Sequence, residues 1–154
     1  MRSSKHSSTI HTVVRSVIAI NNQILLAHCK GASNTFLPGG HVKYGEAATS
    51  ALQRELAEEC QMRLNIIRFL GIVEHVYGEA GRLEHEINLC FLGELPELKD
   101  VEPIKSKEKH LEFFWVSTNK LSEYNLRPYP FQSLIPKILD RDDPYPWFES
   151  TIKD

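Results

Sequence analysis

The chain has 154 residues, 42% of them hydrophobic and 25% charged, with a net charge of −2. That length suits one domain with a sizeable core. The near-neutral charge excludes a protein that grips polymeric nucleic acid through a basic surface, and no apolar run approaches the ~20 residues that span a membrane.

Residues 1–9 are polar, lack a secretory signal pattern and read as a flexible arm, and residues 10–154 read as a single domain. Val13 to Ile20 is rich in β-branched residues and predicts a strand. Asn21 and Asn22 predict a turn, and Gln23 to Cys29 the returning strand. A loop over 30–35 leads into a short strand at Phe36 and Leu37, interrupted by a turn at Gly39 and Gly40. The segment Glu46 to Cys60 predicts a helix whose Ala48, Leu52 and Leu56, at intervals of four, form the buried stripe. Leu64 to Tyr77 predicts one or two strands, a turn follows at 78–81, and Leu83 to Leu95 returns as a long strand. Pro96 to Lys109 is polar and carries two prolines, as a loop does. Leu111 to Val116 predicts a last strand, with Ser117 or Thr118 capping a short helix to Tyr124. Phe131 to Asp140 predicts an amphipathic helix, and the aromatic tail from Asp143 to Phe148 a segment packed across the surface. This order implies a mixed β-sheet flanked by helices, an α/β or α+β sandwich. Cys29, Cys60 and Cys90 are odd in number and widely spaced, which fits a reducing cytoplasm better than a disulfide framework or a zinc site.

One segment carries chemistry. Gly40 is followed after five residues by Glu46, and after seven more by Arg54, Glu55, Leu56, Ala57, Glu58 and Glu59. Residues three and four apart share a helix face, so Glu55, Glu58 and Glu59 lie together. Three like charges that close need dilution by water or a cation among them, and hard oxygen ligands suit Mg²⁺ or Mn²⁺. A Glu-rich face is ordinarily solvated surface; the sharp backbone bend at Gly39, Gly40 and Gly45 just before the helix separates this one from that reading.

The spacing is similar to the Nudix box, with Leu37, Pro38, Gly39 and Gly40 resembling the usual entry to it. One position departs: Gln61 stands where the family has glycine. The box covers residues 40–62, and the order of elements resembles the family over most of 10–140. The resemblance implies the Nudix fold and a hydrolase that cleaves the pyrophosphate bond of a nucleoside diphosphate derivative with Mg²⁺, or Mn²⁺. It implies Glu55, Glu58, Glu59 and the Gly40 backbone as the metal site. Arg54 would orient a glutamate, against the simpler reading of an ion pair with Glu58, and Glu46 would pin the loop to the helix start. Glu112, three residues before Trp115, is an extra acidic candidate for general base or ligand, or an exposed strand glutamate. Substrate-binding candidates are Gly39, Gly40, Arg15, Tyr77, His85 and Glu86. A hairpin would bring His85 and Glu86 near Glu74 and His75, as functional pairs or as cross-strand polar contacts. Nucleoside triphosphates lead among substrates. Dinucleoside polyphosphates, ADP-ribose and sugar nucleotides are alternatives, as is a non-catalytic nucleotide sensor. The intact glutamates favour the enzyme, and homodimers are frequent in the family.

Overall fold

The computed structural model describes residues 8–141 and 146–153. Seven strands and two α-helices form in the order β1 (Ile10–Ile20), β2 (Gln23–Cys29), β3 (Gly39–His41), α1 (Ala48–Cys60), β4 (Asn65–Glu79), β5 (Arg82–Glu94), β6 (Leu111–Ser117), α2 (Phe131–Leu139) and β7 (Trp147–Ser150). The strands form one mixed sheet, ordered β6-β2-β1-β5-β4-β7, with β3 also paired to β1. The pairs β1–β5 and β4–β7 are parallel and the others antiparallel.

A strand central in such a sheet is buried on both faces. On β1, Val14 and Ile18 face α1, packing with Leu52, Leu56 and Phe91, while Val17 faces α2, packing with Leu70, Phe131 and Ile135. Leu52 and Leu56 are fully buried, each worth roughly 1.5–3 kcal/mol of apolar transfer. Ala48 packs on the same cluster but is only partly buried, and Ala51 and Cys60 complete the buried face.

Four local expectations change. Gly39 and Gly40 lie within β3, opposite Arg15 and Val14, because pairing with β1 extends the backbone there. The bend falls at Gly45 instead, with φ +77°, and α1 starts at Ala48 rather than Glu46. The short helix to Tyr124 is only a 3₁₀ turn at Thr118–Lys120, with no side-chain cap. The tail from Trp147 is an edge strand, not a surface packing segment. Gly71 allows the Trp147 backbone to come against β4, where any Cβ would collide with it. Residues 142–145 of that tail lie outside the described residues. One expectation left open is also decided: the segment predicted as one or two strands from Leu64 to Tyr77 forms the single strand β4, with irregular register between Ile66 and Arg68 and between Phe69 and Gly71, and the turn expected at 78–81 narrows to Ala80 and Gly81.

Candidate active site

The site begins where β3 meets α1. A Cβ on Gly40 would lie 2.6 Å from both carboxylate oxygens of Glu55, so only glycine lets this carboxylate lie against the strand. Arg54 then ties helix to loop. Its Nε donates to Glu46 Oε2 at 2.7 Å and its Nη2 to Glu46 Oε1 at 3.0 Å, a two-pronged charge-assisted contact. Its Nη1 donates to Glu55 and to Glu58, each at 3.1 Å, and Nη2 to the His41 carbonyl at 3.1 Å. The Lys43 amide also donates to Glu46. Arg54 first, and this amide second, hold the Glu46 carboxyl down at about 2. Glu46 thus joins loop to helix, while Arg54 fixes the rotamers of Glu55 and Glu58.

Glu59 is different in kind. Its Oε2 is buried and has no hydrogen-bond partner among the described residues. Its pKa is raised to about 8, first by burial and then by the charge and hydrogen bond of Glu55, with the charge of Arg15 opposing them. A partly buried carboxylate pair with one oxygen out of reach of solvent is relieved by a proton or a cation. Among the described residues no three His, Cys, Asp or Glu groups already converge into a metal cage; Glu58 is half exposed and paired with Arg54. Mg²⁺ does not require such a cage: it keeps most of its waters and is held by one or two carboxylates together with substrate phosphates. The Glu55–Glu59 pair, with an orphaned acceptor, fits that demand.

Helix α1 ends at Gln61, whose φ of 53° and ψ of 31° are left-handed, with its N–H donated to the Ala57 carbonyl at 3.1 Å. The glutamine therefore keeps the glycine geometry of the motif. Loop 96–110 closes over this end, where the Lys107 N–H donates to the Glu59 carbonyl at 2.7 Å. It also brings the charge of Glu108 onto Glu59. Nothing in the sequence pattern singled out Glu108. Glu112 projects from β6 beside His28, with 4.0 Å between Oε1 and Nδ1, and lines an open recess together with Glu108.

On the sheet face away from α1 lies a cavity of about 670 Å³, with Arg15, Phe36, His75, Tyr77, Glu86 and Tyr129 in its walls. The register pairs His75 with Glu86, and Tyr77 Oη donates to Glu86 Oε1 at 3.3 Å. His85 is the next residue on β5, so it projects to the opposite face; the pair that forms is His75–Glu86, not His85–Glu86. The His75 ring stacks on Tyr77 at 5.1 Å and 22°. Its Nδ1 lies 3.0 Å from Thr151 Oγ1, which also accepts the Val76 N–H. Burial first of all lowers the His75 pKa, which favours the neutral ring, while the charge of Glu86 opposes it. Thr151 reaches the cavity only because β7 zips along β4, which sequence reading did not foresee.

Arg15 connects the two regions. Its guanidinium lies 5.3 Å from the centre of the Phe36 ring and donates to the Leu37 carbonyl at 3.1 Å. Its charge acts on Glu59 as well as on His75 and Tyr77 in the cavity. Tyr44, by contrast, is fully exposed.

A family profile for the NUDIX domain matches residues 10–136. The chain belongs to the Nudix family. An uncharacterized Nudix hydrolase of Nostoc sp. is 31% identical over 105 residues, covering 66% of this chain and 56% of that protein. The chain thus spans little more than half the length of this Nudix relative. Among solved structures, a NUDIX hydrolase from Nitrosomonas europaea superposes with a TM-score of 0.70 at 15% identity, over 96% of this chain and 82% of the other. A MutT protein from Methanosarcina mazei Go1 gives 0.69 at 24% identity, over 90% of this chain and 99% of the other. At these identities the two structures establish the Nudix fold.

Proposed function

We propose that the protein hydrolyses the pyrophosphate bond of a nucleoside diphosphate derivative, foremost a nucleoside triphosphate, with Mg²⁺ or Mn²⁺. The observation that carries this reading is the buried Glu59 oxygen beside Glu55, unpartnered among the described residues, with the charge of the cavity-lining Arg15 acting on it. Glu55 and Glu59 would hold the cation, with Glu58 able to swing in from solvent and Gly40 leaving the space. When bound, the divalent ion neutralises the diphosphate and acidifies a water.

The chain's own groups do the positioning. Arg54 keeps Glu55 from turning away. Arg15 lines the cavity and its charge acts on Glu59, which suits a group that orients the diphosphate while the nucleoside enters the cavity. An acceptor is also needed to align the attacking water; Glu108, whose charge reaches Glu59, is one such group, and Glu112 shares its recess. No described helix is long and apolar enough to cross a membrane, and the three unpaired cysteines suit a reducing cytoplasm.

The test is phosphate or pyrophosphate release from canonical and oxidised nucleoside triphosphates, dinucleoside polyphosphates, ADP-ribose and sugar nucleotides, each with and without Mg²⁺. Metal-dependent turnover of one class is expected. No turnover of any with Mg²⁺ or Mn²⁺ sinks the hydrolase reading in favour of a nucleotide sensor.

A further inference from the structure

Glu86 is 8% exposed, yet its carboxylate forms no ion pair with any described residue. Among the described residues the one hydrogen bond to this carboxylate is the 3.3 Å contact from the neutral Tyr77 hydroxyl. A carboxylate offers about four acceptor positions, and a buried one is costly until donors fill them. His75 across the strand is tied to Thr151 through Nδ1. The unfilled acceptors of Glu86 therefore open into the cavity, between walls that include Phe36, Tyr77 and Tyr129. Aromatic walls suit a flat ring; a carboxylate between them suits a ring edge with two adjacent N–H donors.

Few nucleobases present that edge. Guanine offers N1–H beside its 2-amino group, a parallel donor pair that matches one carboxylate. Adenine and cytosine place an acceptor next to their amino group, and uracil flanks its single N–H with two carbonyls. In each of those an acceptor would face the Glu86 oxygens. We infer that Glu86 is the residue by which this protein selects a guanine-type ring, a 2-amino-6-oxopurine or its like, for the cavity. The inference rests on the proposed function in taking the occupant to be a nucleotide. Its chemical rival is a ribose diol, which also offers two adjacent donors to a carboxylate.

The experiment separates these cases on the full chain. Binding of GMP, IMP, AMP and dGMP is titrated calorimetrically in a chelator, and kcat/KM is measured for GTP, ITP and ATP with Mg²⁺, for the native protein and for Glu86→Gln. A lost bidentate contact changes discrimination by about 10- to 100-fold. GMP should exceed AMP by that factor, IMP should fall between them, and dGMP should match GMP. Glu86→Gln should collapse the guanine-to-adenine ratio in both binding and turnover. The native GMP, IMP and AMP series reads the preference without any variant. Equal affinity for GMP and AMP overturns the inference, as does the absence of binding by any of the four. A Glu86→Gln effect on GMP against dGMP, with base preference untouched, assigns Glu86 to the diol instead. Guanine-selective binding without turnover of any triphosphate removes the hydrolase reading and keeps the inference; turnover without base preference does the reverse.

Discussion

Gly40 and Glu55 occupy the same space in turn: the carboxylate of Glu55 lies where a side chain on Gly40 would be, 2.6 Å from its oxygens. The φ of Gly40 is not in the left-handed region, so alanine suits the backbone and the conflict is with Glu55 alone. Gly40→Ala should therefore fold normally yet lose about 10- to 100-fold in turnover, the scale of disturbed metal-ligand support. Circular dichroism and kcat together check it; a fully active variant would show that Glu55 need not lie against β3.

Glu59 makes a sharper case, because its buried Oε2 has no hydrogen-bond partner among the described residues. Glu59→Gln should cost on the order of 10²-fold or more in kcat, above the range of outer-shell substitutions, with the fold intact. Mg²⁺ should raise the melting temperature of the native chain through binding linkage. The variant should lose most of that rise, and an equal Mg²⁺ shift in both proteins would remove Glu59 from the ligand set.

Arg54 contacts Glu46, Glu55 and Glu58 with one planar fork. Lysine keeps the charge but not the fork. Arg54→Lys should lower kcat by about 10- to 100-fold while changing KM little, since the substrate contacts lie elsewhere. A rise in KM at constant kcat would instead make Arg54 a substrate-binding group.

The Arg54–Glu46 pair also sets an acid limit. The Glu46 carboxyl falls from an ordinary 4.5 to about 2 on folding. A depressed carboxylate stabilises the fold above its unfolded pKa, and that contribution is lost as pH falls through the folded value. Stability should decline from about pH 4.5 toward pH 2, and Glu46→Gln should flatten this part of the curve. Urea midpoints across that range decide it; parallel curves for both proteins would show that Glu46 is not the group responsible.

At the far end of α1, Gln61 holds a left-handed conformation where glycine carries no Cβ penalty. Gln61→Gly should stabilise the protein by roughly 0.5–1 kcal/mol and leave kcat unchanged, because the carboxylates lie upstream. A destabilised variant would mean that the glutamine side chain makes a compensating contact.

The local chemistry around α1 was legible in the chain itself. Helical periodicity alone puts Leu52 and Leu56 on one face and Glu55, Glu58 and Glu59 on another, and a motif of fixed spacing needs no long-range information. The strand over Val13 to Ile20 followed from its β-branched run, and Gln23 to Cys29 from the turn at Asn21 and Asn22 that precedes it. The tail did not, since an edge strand of four residues has little pattern of its own, and its pairing depends on Gly71.

What the sequence determined by itself, then, is the carboxylate helix with its glycine entry, because both are made by neighbours along the chain. Tertiary structure alone decided three matters: that Arg15 lines the cavity while its charge acts on Glu59, that His75 rather than His85 is paired with Glu86, and that Thr151 lines the cavity while the charge of Glu108 acts on Glu59. Each depends on strand register or loop closure between distant segments. A shift of one residue in register would carry His75 and Glu86 to the other face of the sheet.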